Sequence, residues 1–185
     1  MNSPSTSLSL LARVQSRGDQ EAWRRFVELY TPLLSLWAKR IGMQAADAAD
    51  LAQDVLLLLL AKLPDFDLQR DGSFRAWLRR VTVNRWRERA RRKQPVAAGG
   101  LLDEPADPAP EFWEREFGDL LMARALDILR SRFDDNVWRA FWETTVEKRR
   151  AREVAEELGV SEAAVYVSKS RVLAKLRQEL AGMWE

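Results

Sequence analysis

Residues 152–180 read REVAEELGVSEAAVYVSKSRVLAKLRQEL, and the spacing inside this stretch decides the fold. Ala155, Gly159 and Val165 stand four and six residues apart, with Val154, Leu158 and Val160 around them. A helix-turn-helix needs this order. A small residue in the first helix lets the second cross close by, and glycine tolerates a left-handed turn. Val165 then anchors the second helix, and Ser161 is placed to cap its start. Unrolled at a helical period, Val165, Val172, Leu173, Leu176 and Leu180 share one side. The other side carries Ala163, Tyr166, Val167, Ser170, Arg171, Ala174 and Arg177. Small, hydroxyl-bearing and basic side chains on an exposed face suit a helix lying in a DNA major groove. A plain helical hairpin is the alternative, and the 20-residue pattern 151–170 favours DNA.

Upstream, the same period recurs. Trp23, Phe26, Val27, Tyr30, Leu33, Leu34 and Trp37 follow one another at three and four, the mark of an amphipathic helix. Ala45 to Leu63 continues as helix until Pro64. After the turn-rich PDFDLQRDG at 64–72, Ser73 is placed to cap a helix from Phe74 to about Lys93. Residues 94–110 hold four prolines, a glycine pair and three acids, and predict a flexible tether. Helical pattern resumes near Glu111, with Leu120, Leu121, Ala125, Ile128 and Leu129 on one face. A further helix follows around Val137, Trp138, Phe141 and Trp142. No strand-like alternation appears. The expected architecture is all-α: a helical domain over 1–94, an acidic linker over 95–110 and a helix-turn-helix domain over 111–185.

The net charge of +2 conceals an uneven distribution. Residues 70–93 hold ten basic and two acidic residues, a local +8, whereas 95–118 hold one basic and six acidic. A basic concentration of this kind points to a polyanion, because each Lys or Arg at a phosphate releases counterions. Its arginines ring the helix rather than form a stripe, so one pose brings only some of them to DNA. Trp77 reads as core. Trp86 lies off that face, as a second core contact or a stacking surface for an unpaired base. The polar loop Gln69–Ser73 could receive a flipped base.

Asp47, Asp50, Gln53, Asp54 and Leu57 cluster on one side of the preceding helix, while Leu51, Val55 and Leu58 point to a core. Five leucines at 56–60 make its end apolar all round. Such a helix is buried on more than one side, either within the domain or under another protein. The carboxylates lie along an open face instead of converging, so no metal or acid–base site is expected.

The chain of 185 residues has no cysteine and no histidine. That excludes disulfides, thiol catalysis, Cys/His zinc sites and a histidine base. No catalytic residue or cofactor is expected. No apolar run approaches the ~18–20 residues of a membrane helix, and the N-terminus lacks a signal-peptide pattern. A cytoplasmic protein without membrane insertion is the expectation.

The order of DAADLAQDVLLLLL (47–60), FDLQRDGSFRAWLRRVTVNRWRERARRK (66–93) and the 152–180 motif, with WRRFVELYTPLL at 23–34, resembles an extracytoplasmic-function-type sigma factor. This family is the small two-domain promoter-recognition subunit of bacterial RNA polymerase. The ending VYVSKSRVLAKLR resembles a planctomycete-abundant subgroup. The resemblance implies that Asp47, Asp50, Gln53, Asp54 and Leu57 dock on the clamp helices of the polymerase's largest catalytic subunit. It implies that Gln69, Arg70, Ser73, Arg75, Arg79, Arg80 and Asn84 lie near melted promoter DNA. It further implies that Ser161, Ala163, Tyr166, Val167, Ser170 and Arg171 read upstream duplex. Promoter DNA and core RNA polymerase are the implied partners, and an anti-sigma factor is one that such proteins accept. The sequence departs from the family where Glu162-Ala163-Ala164 opens the recognition helix and where leucines replace the mixed residues common at 56–60. A stand-alone helix-turn-helix regulator and a helical adaptor without DNA binding are the competing readings.

Overall fold

The computed structural model describes residues 9–16, 18–93, 107–181 and 183; among them every regular element is helical. The chain divides into two units, residues 10–121 and residues 122–181. The fold class is the all-α one expected. Most of the expected linker, residues 95–106, lies outside the described residues.

The first unit begins with α1 (Leu10–Gln15) and α2 (Gln20–Arg40). The carboxylate of Asp19 fastens the two: it accepts the Ala22 N–H at 2.9 Å to cap α2 and takes Arg13 Nε at 2.8 Å. α3 (Ala45–Lys62) packs along α2, burying Leu51, Val55 and Leu59 beside the fully buried Phe26, Tyr30, Leu34 and Trp37. After a short α4 (Leu68–Asp71), the Ser73 hydroxyl accepts the Ala76 N–H at 3.2 Å, and α5 (Phe74–Lys93) starts where the sequence places it. Phe74 drives the start of α5 into the core. Its ring meets Phe26, Tyr30 and Phe66 edge-on, at centroid separations of 6.0, 5.7 and 5.6 Å, the geometry aromatic quadrupoles favour.

The unit does not end at residue 94. A π-helical turn (Phe112–Glu116) leads into α6 (Phe117–Arg130), and Phe112, Trp113 and Phe117 are buried to 1, 2 and 1% exposure. Trp113 lies 6.0 Å from Trp37 and Phe117 lies 6.2 Å from Tyr30. The two compact units divide after Leu121. The physical reason is that the aromatic residues following the proline-rich stretch find their apolar partners on α2. The seam has a cost. The Tyr30 hydroxyl and the Trp37 and Trp113 indole N–H groups are buried with no acceptor among the described residues, at about 1–3 kcal/mol each.

The second unit contains α7 (Asp135–Thr145), α8 (Ala151–Leu158) and α9 (Glu162–Leu180). Ala140, Val154, Ala155 and Val165 form its central cluster, with Ala151 and Leu158 against it. The turn follows the expected chemistry. Gly159 takes φ +65, Val160 N–H returns to the Ala155 carbonyl at 3.0 Å, and Ser161 accepts the Ala164 N–H at 3.2 Å. Arg149 braces the unit by donating to buried Glu143 at 2.6 Å and to Glu157 at 3.0 Å.

A Cβ built on Gly159 meets no atom within 4 Å, so a substitution there is opposed by backbone conformation alone. Gly159→Ala should lower the stability of this unit by about 1 kcal/mol, with Gly159→Asn closer to wild type, read from urea unfolding of the whole chain. The Arg149 guanidinium beside Glu157 holds its carboxyl below the ordinary value of 4.5. A carboxyl lowered in the folded state stabilises above its unfolded pKa and ceases to as pH falls through the folded one. Thermal midpoints should therefore fall below about pH 4.5, and Glu157→Gln should flatten that acid limb.

Candidate functional site

Nine of the twenty residues of α5 are basic, and the helix can pack only because its two faces treat that charge differently. Toward α3, Arg85 and Arg89 converge on Asp54, at 3.2 and 2.6 Å, and Arg89 also lies 3.8 Å from Asp50. The Arg85 guanidinium is held above its ordinary pKa, chiefly by its hydrogen bond to Glu88 and then by the charge of Asp54, against a desolvation penalty. Away from α3, Ser73, Arg75, Arg79, Arg80, Asn84 and Arg87 line a cleft of about 410 Å3. The ring of arginines in the sequence thus holds a structural pair and a set lining a cleft, with Arg91 and Arg92 exposed beyond both.

Five residues expected near DNA meet at this cleft: Ser73, Arg75, Arg79, Arg80 and Asn84. Arg87 joins them, unanticipated from sequence. Arg80 also donates to the Asp71 carbonyl at 2.7 Å, tying α5 to the preceding loop. Gln69 and Arg70 do not line the cleft. Arg70 donates to its neighbour Asp71 at 2.8 Å, which holds the Asp71 carboxyl below its ordinary range, while Gln69 remains exposed. Trp86 turns its ring edge-on to Trp37 at 6.3 Å and is half-buried, so it contributes to the packing of α2 on α5.

On α3 the leucine run divides. Leu56 and Leu59 are buried, while Leu57 and Leu60 are 66% and 52% exposed. Asp50 and Gln53 are exposed beside Leu57, Asp47 is half-buried, and Asp54 is engaged by the α5 arginines. The acidic cluster is therefore a graded surface: an exposed rim at Asp50, Gln53 and Leu57, and a structural carboxylate at Asp54. Leu60 extends the apolar part of that rim, and the sequence signal for it was only its place in the run.

In α9 the buried apolar side chains are Val165, Val172, Leu176 and Leu180, with Leu173 half-buried and the Glu179 carboxylate also buried. Ala163, Tyr166, Val167, Ser170 and Arg171 are all exposed. The Ser161 hydroxyl is spent as the helix cap. Tyr166 donates its hydroxyl to Glu162 at 3.3 Å, which fixes a carboxylate at the N-terminal end of this face. Val167 and Tyr166, each 55% exposed, supply apolar surface of the kind that meets thymine methyl groups. Among the described residues no cluster of acidic side chains could hold a metal ion, and no helix is long and apolar enough to cross a membrane.

Comparison with known proteins fits this layout. Residues 26–96 match the family described as sigma-70 region 2. The chain is 31% identical over 170 residues to the probable RNA polymerase sigma factor RfaY of Xanthomonas campestris, an alignment covering 88% of this chain and 41% of that protein. It is 28% identical over 186 residues to the RNA polymerase sigma factor CnrH of Cupriavidus metallidurans, covering 94% of each. The chain thus spans less than half the length of RfaY and nearly all of CnrH. The solved structure of CnrH in complex with the cytosolic domain of CnrY aligns over 90% of this chain at 27% identity, with a TM-score of 0.39. Residues 26–96, which carry the graded acidic rim and the arginines of α5, match sigma-70 region 2, and the chain is similar over nearly its whole length to the sigma factor CnrH.

Proposed function

We propose that the chain is an extracytoplasmic-function-type sigma factor that binds core RNA polymerase and directs transcription initiation at its promoters. Its work is binding, not catalysis. The observation that carries this reading is the division of labour around α5. The same unit that matches sigma-70 region 2 offers an exposed acidic and leucine rim on α3 and an arginine-lined cleft on α5. A protein partner and a polyanion can be held by one small domain only if their surfaces are separate, and the Asp54 clip keeps them so.

Asp50, Gln53 and Leu57, with Asp47 beside them, are the surface for the polymerase clamp helices. Asp54 supports that surface from behind. The cleft residues Arg75, Arg79, Arg80 and Asn84 hold the melted strand, with Gln69 and Arg70 in the loop before them and Ser73 at the cap. Binding unpaired bases more tightly than paired ones shifts the duplex toward opening, and only that difference can shift it. In the second unit Ala163, Tyr166, Val167, Ser170 and Arg171 face upstream duplex, and Ser161 fixes where the recognition helix starts. The carboxylate of Glu162, oriented by Tyr166, can accept from a cytosine amine in that groove. The ending at 165–177 supports a planctomycete-like subgroup, and an anti-sigma factor covering the same surfaces is a compatible regulator.

Asp50→Arg reverses charge on an exposed side chain whose ion pair with Arg89 is long at 3.8 Å. It should abolish binding to core polymerase in a pull-down or anisotropy assay while the thermal midpoint stays within a few degrees of wild type. Retained affinity for core would refute the docking assignment.

A further inference from the structure

The arginine cleft already has an occupant. Asp107 accepts from Arg79 Nε at 2.8 Å through one carboxylate oxygen and from the Ala109 N–H at 3.0 Å through the other. Its side chain is only 11% exposed. Glu114 approaches the same guanidinium at 3.7 Å, and Glu116 takes Arg40 at 2.8 Å. Between these acids, Phe112 and Trp113 are buried, Trp113 against Trp37 of α2 and Phe112 against Trp113. The segment 107–117 thus crosses the cleft as an anionic strap held by three ion pairs and two aromatic anchors.

We infer that this strap is a built-in competitor for nucleic acid: Asp107 and Glu114 occupy, in the chain by itself, the position at Arg79 that a phosphodiester of single-stranded DNA takes when the cleft is used. The inference rests on the proposed role of α5 in holding DNA. Its chemistry is an exchange of one anion for another at a single guanidinium. A carboxylate and a phosphate oxygen both suit the guanidinium fork, so the exchange requires no rearrangement of Arg79. Asp107, Trp113 and Glu114 line the cleft together with Arg79, so a strand that pairs with the guanidinium displaces the two carboxylates. The strap is suited to letting go. Its aromatic anchors leave the Trp37 and Trp113 N–H groups without acceptors among the described residues, and its Arg79–Glu114 pair is long at 3.7 Å and solvated, Glu114 being 65% exposed. The device restrains DNA binding by the free protein and yields to a strand presented at high local concentration.

The test uses the full chain without polymerase and a fluorescein-labelled single-stranded oligonucleotide, titrated by anisotropy at one fixed low salt concentration. Asp107→Asn with Glu114→Gln keeps the shape of both side chains and removes their charge. It should tighten binding by about threefold or more. Glu111→Gln with Asp119→Asn removes two charges from exposed positions of the same stretch, and should change affinity by less than the strap pair does. In an Arg79→Ala background the strap substitutions should lose their effect, because the guanidinium they release is gone. Equal effects of the two charge-removing pairs, or a strap effect that survives Arg79→Ala, would overturn the strap while leaving α5 as the DNA face. An Arg75→Ala/Arg79→Ala/Arg80→Ala chain that binds as wild type does would instead overturn the DNA role of the cleft, and the strap with it.

Discussion

The ion-pair clip between α3 and α5 is the contact on which the first unit's arrangement turns. A helix with nine basic residues in twenty cannot be laid against another helix unless some of that charge is neutralised where the two touch. Asp54 does this by receiving both Arg85 and Arg89. Two consequences follow from one carboxylate. Four of the other arginines, at 75, 79, 80 and 87, line a single cleft. Asp50 and Gln53 of α3 are left outward beside Leu57. Pairs of this sort contribute modestly when solvated. These guanidiniums, however, are only 21% exposed, and removing their shared partner would leave two cations facing each other at the helix contact.

The second unit depends on a constraint of a different kind, local and conformational. Gly159 in the left-handed region, the Ser161 cap and the small Ala155 set the angle between α8 and α9 within a few residues of chain. This is why the helix-turn-helix was legible in full from the sequence: each device acts on its neighbours, and the face of α9 left outward follows from the helical period alone. The capped start of α5 at Ser73 was legible for the same reason.

What the sequence did not disclose was set by partners far along the chain. Residues 107–117 read as the end of a proline-rich tether and the start of the next domain, because nothing nearby explains Trp113 and Phe117. Their partners, Trp37 and Tyr30, lie more than seventy residues away, and the pairing keeps both in the first compact unit. Asp107 was legible only as part of an acidic count, not as the carboxylate at Arg79. The leucines at 56–60 were ambiguous for want of knowing which sides α2 and α5 cover; the packing leaves Leu57 and Leu60 outside. Trp86 likewise stayed open until Trp37 was placed against its ring. Of the residues expected at the DNA, those on α5 meet in one cleft, whereas Gln69 and Arg70, read from sequence as loop, belong to the short α4, whose hydrogen bonds run to its own neighbours.

On the proposed reading, the acidic rim, the arginine cleft and the capped helix α9 serve a protein that acts by choosing where another machine starts. The most direct test is reconstituted transcription with purified chain, matched bacterial core RNA polymerase and a genomic fragment library, with start sites mapped. The account predicts starts that share two spaced upstream elements and that vanish without the chain. Random starts with matched core, together with tight duplex binding by the chain alone, would contradict it and favour a stand-alone helix-turn-helix regulator.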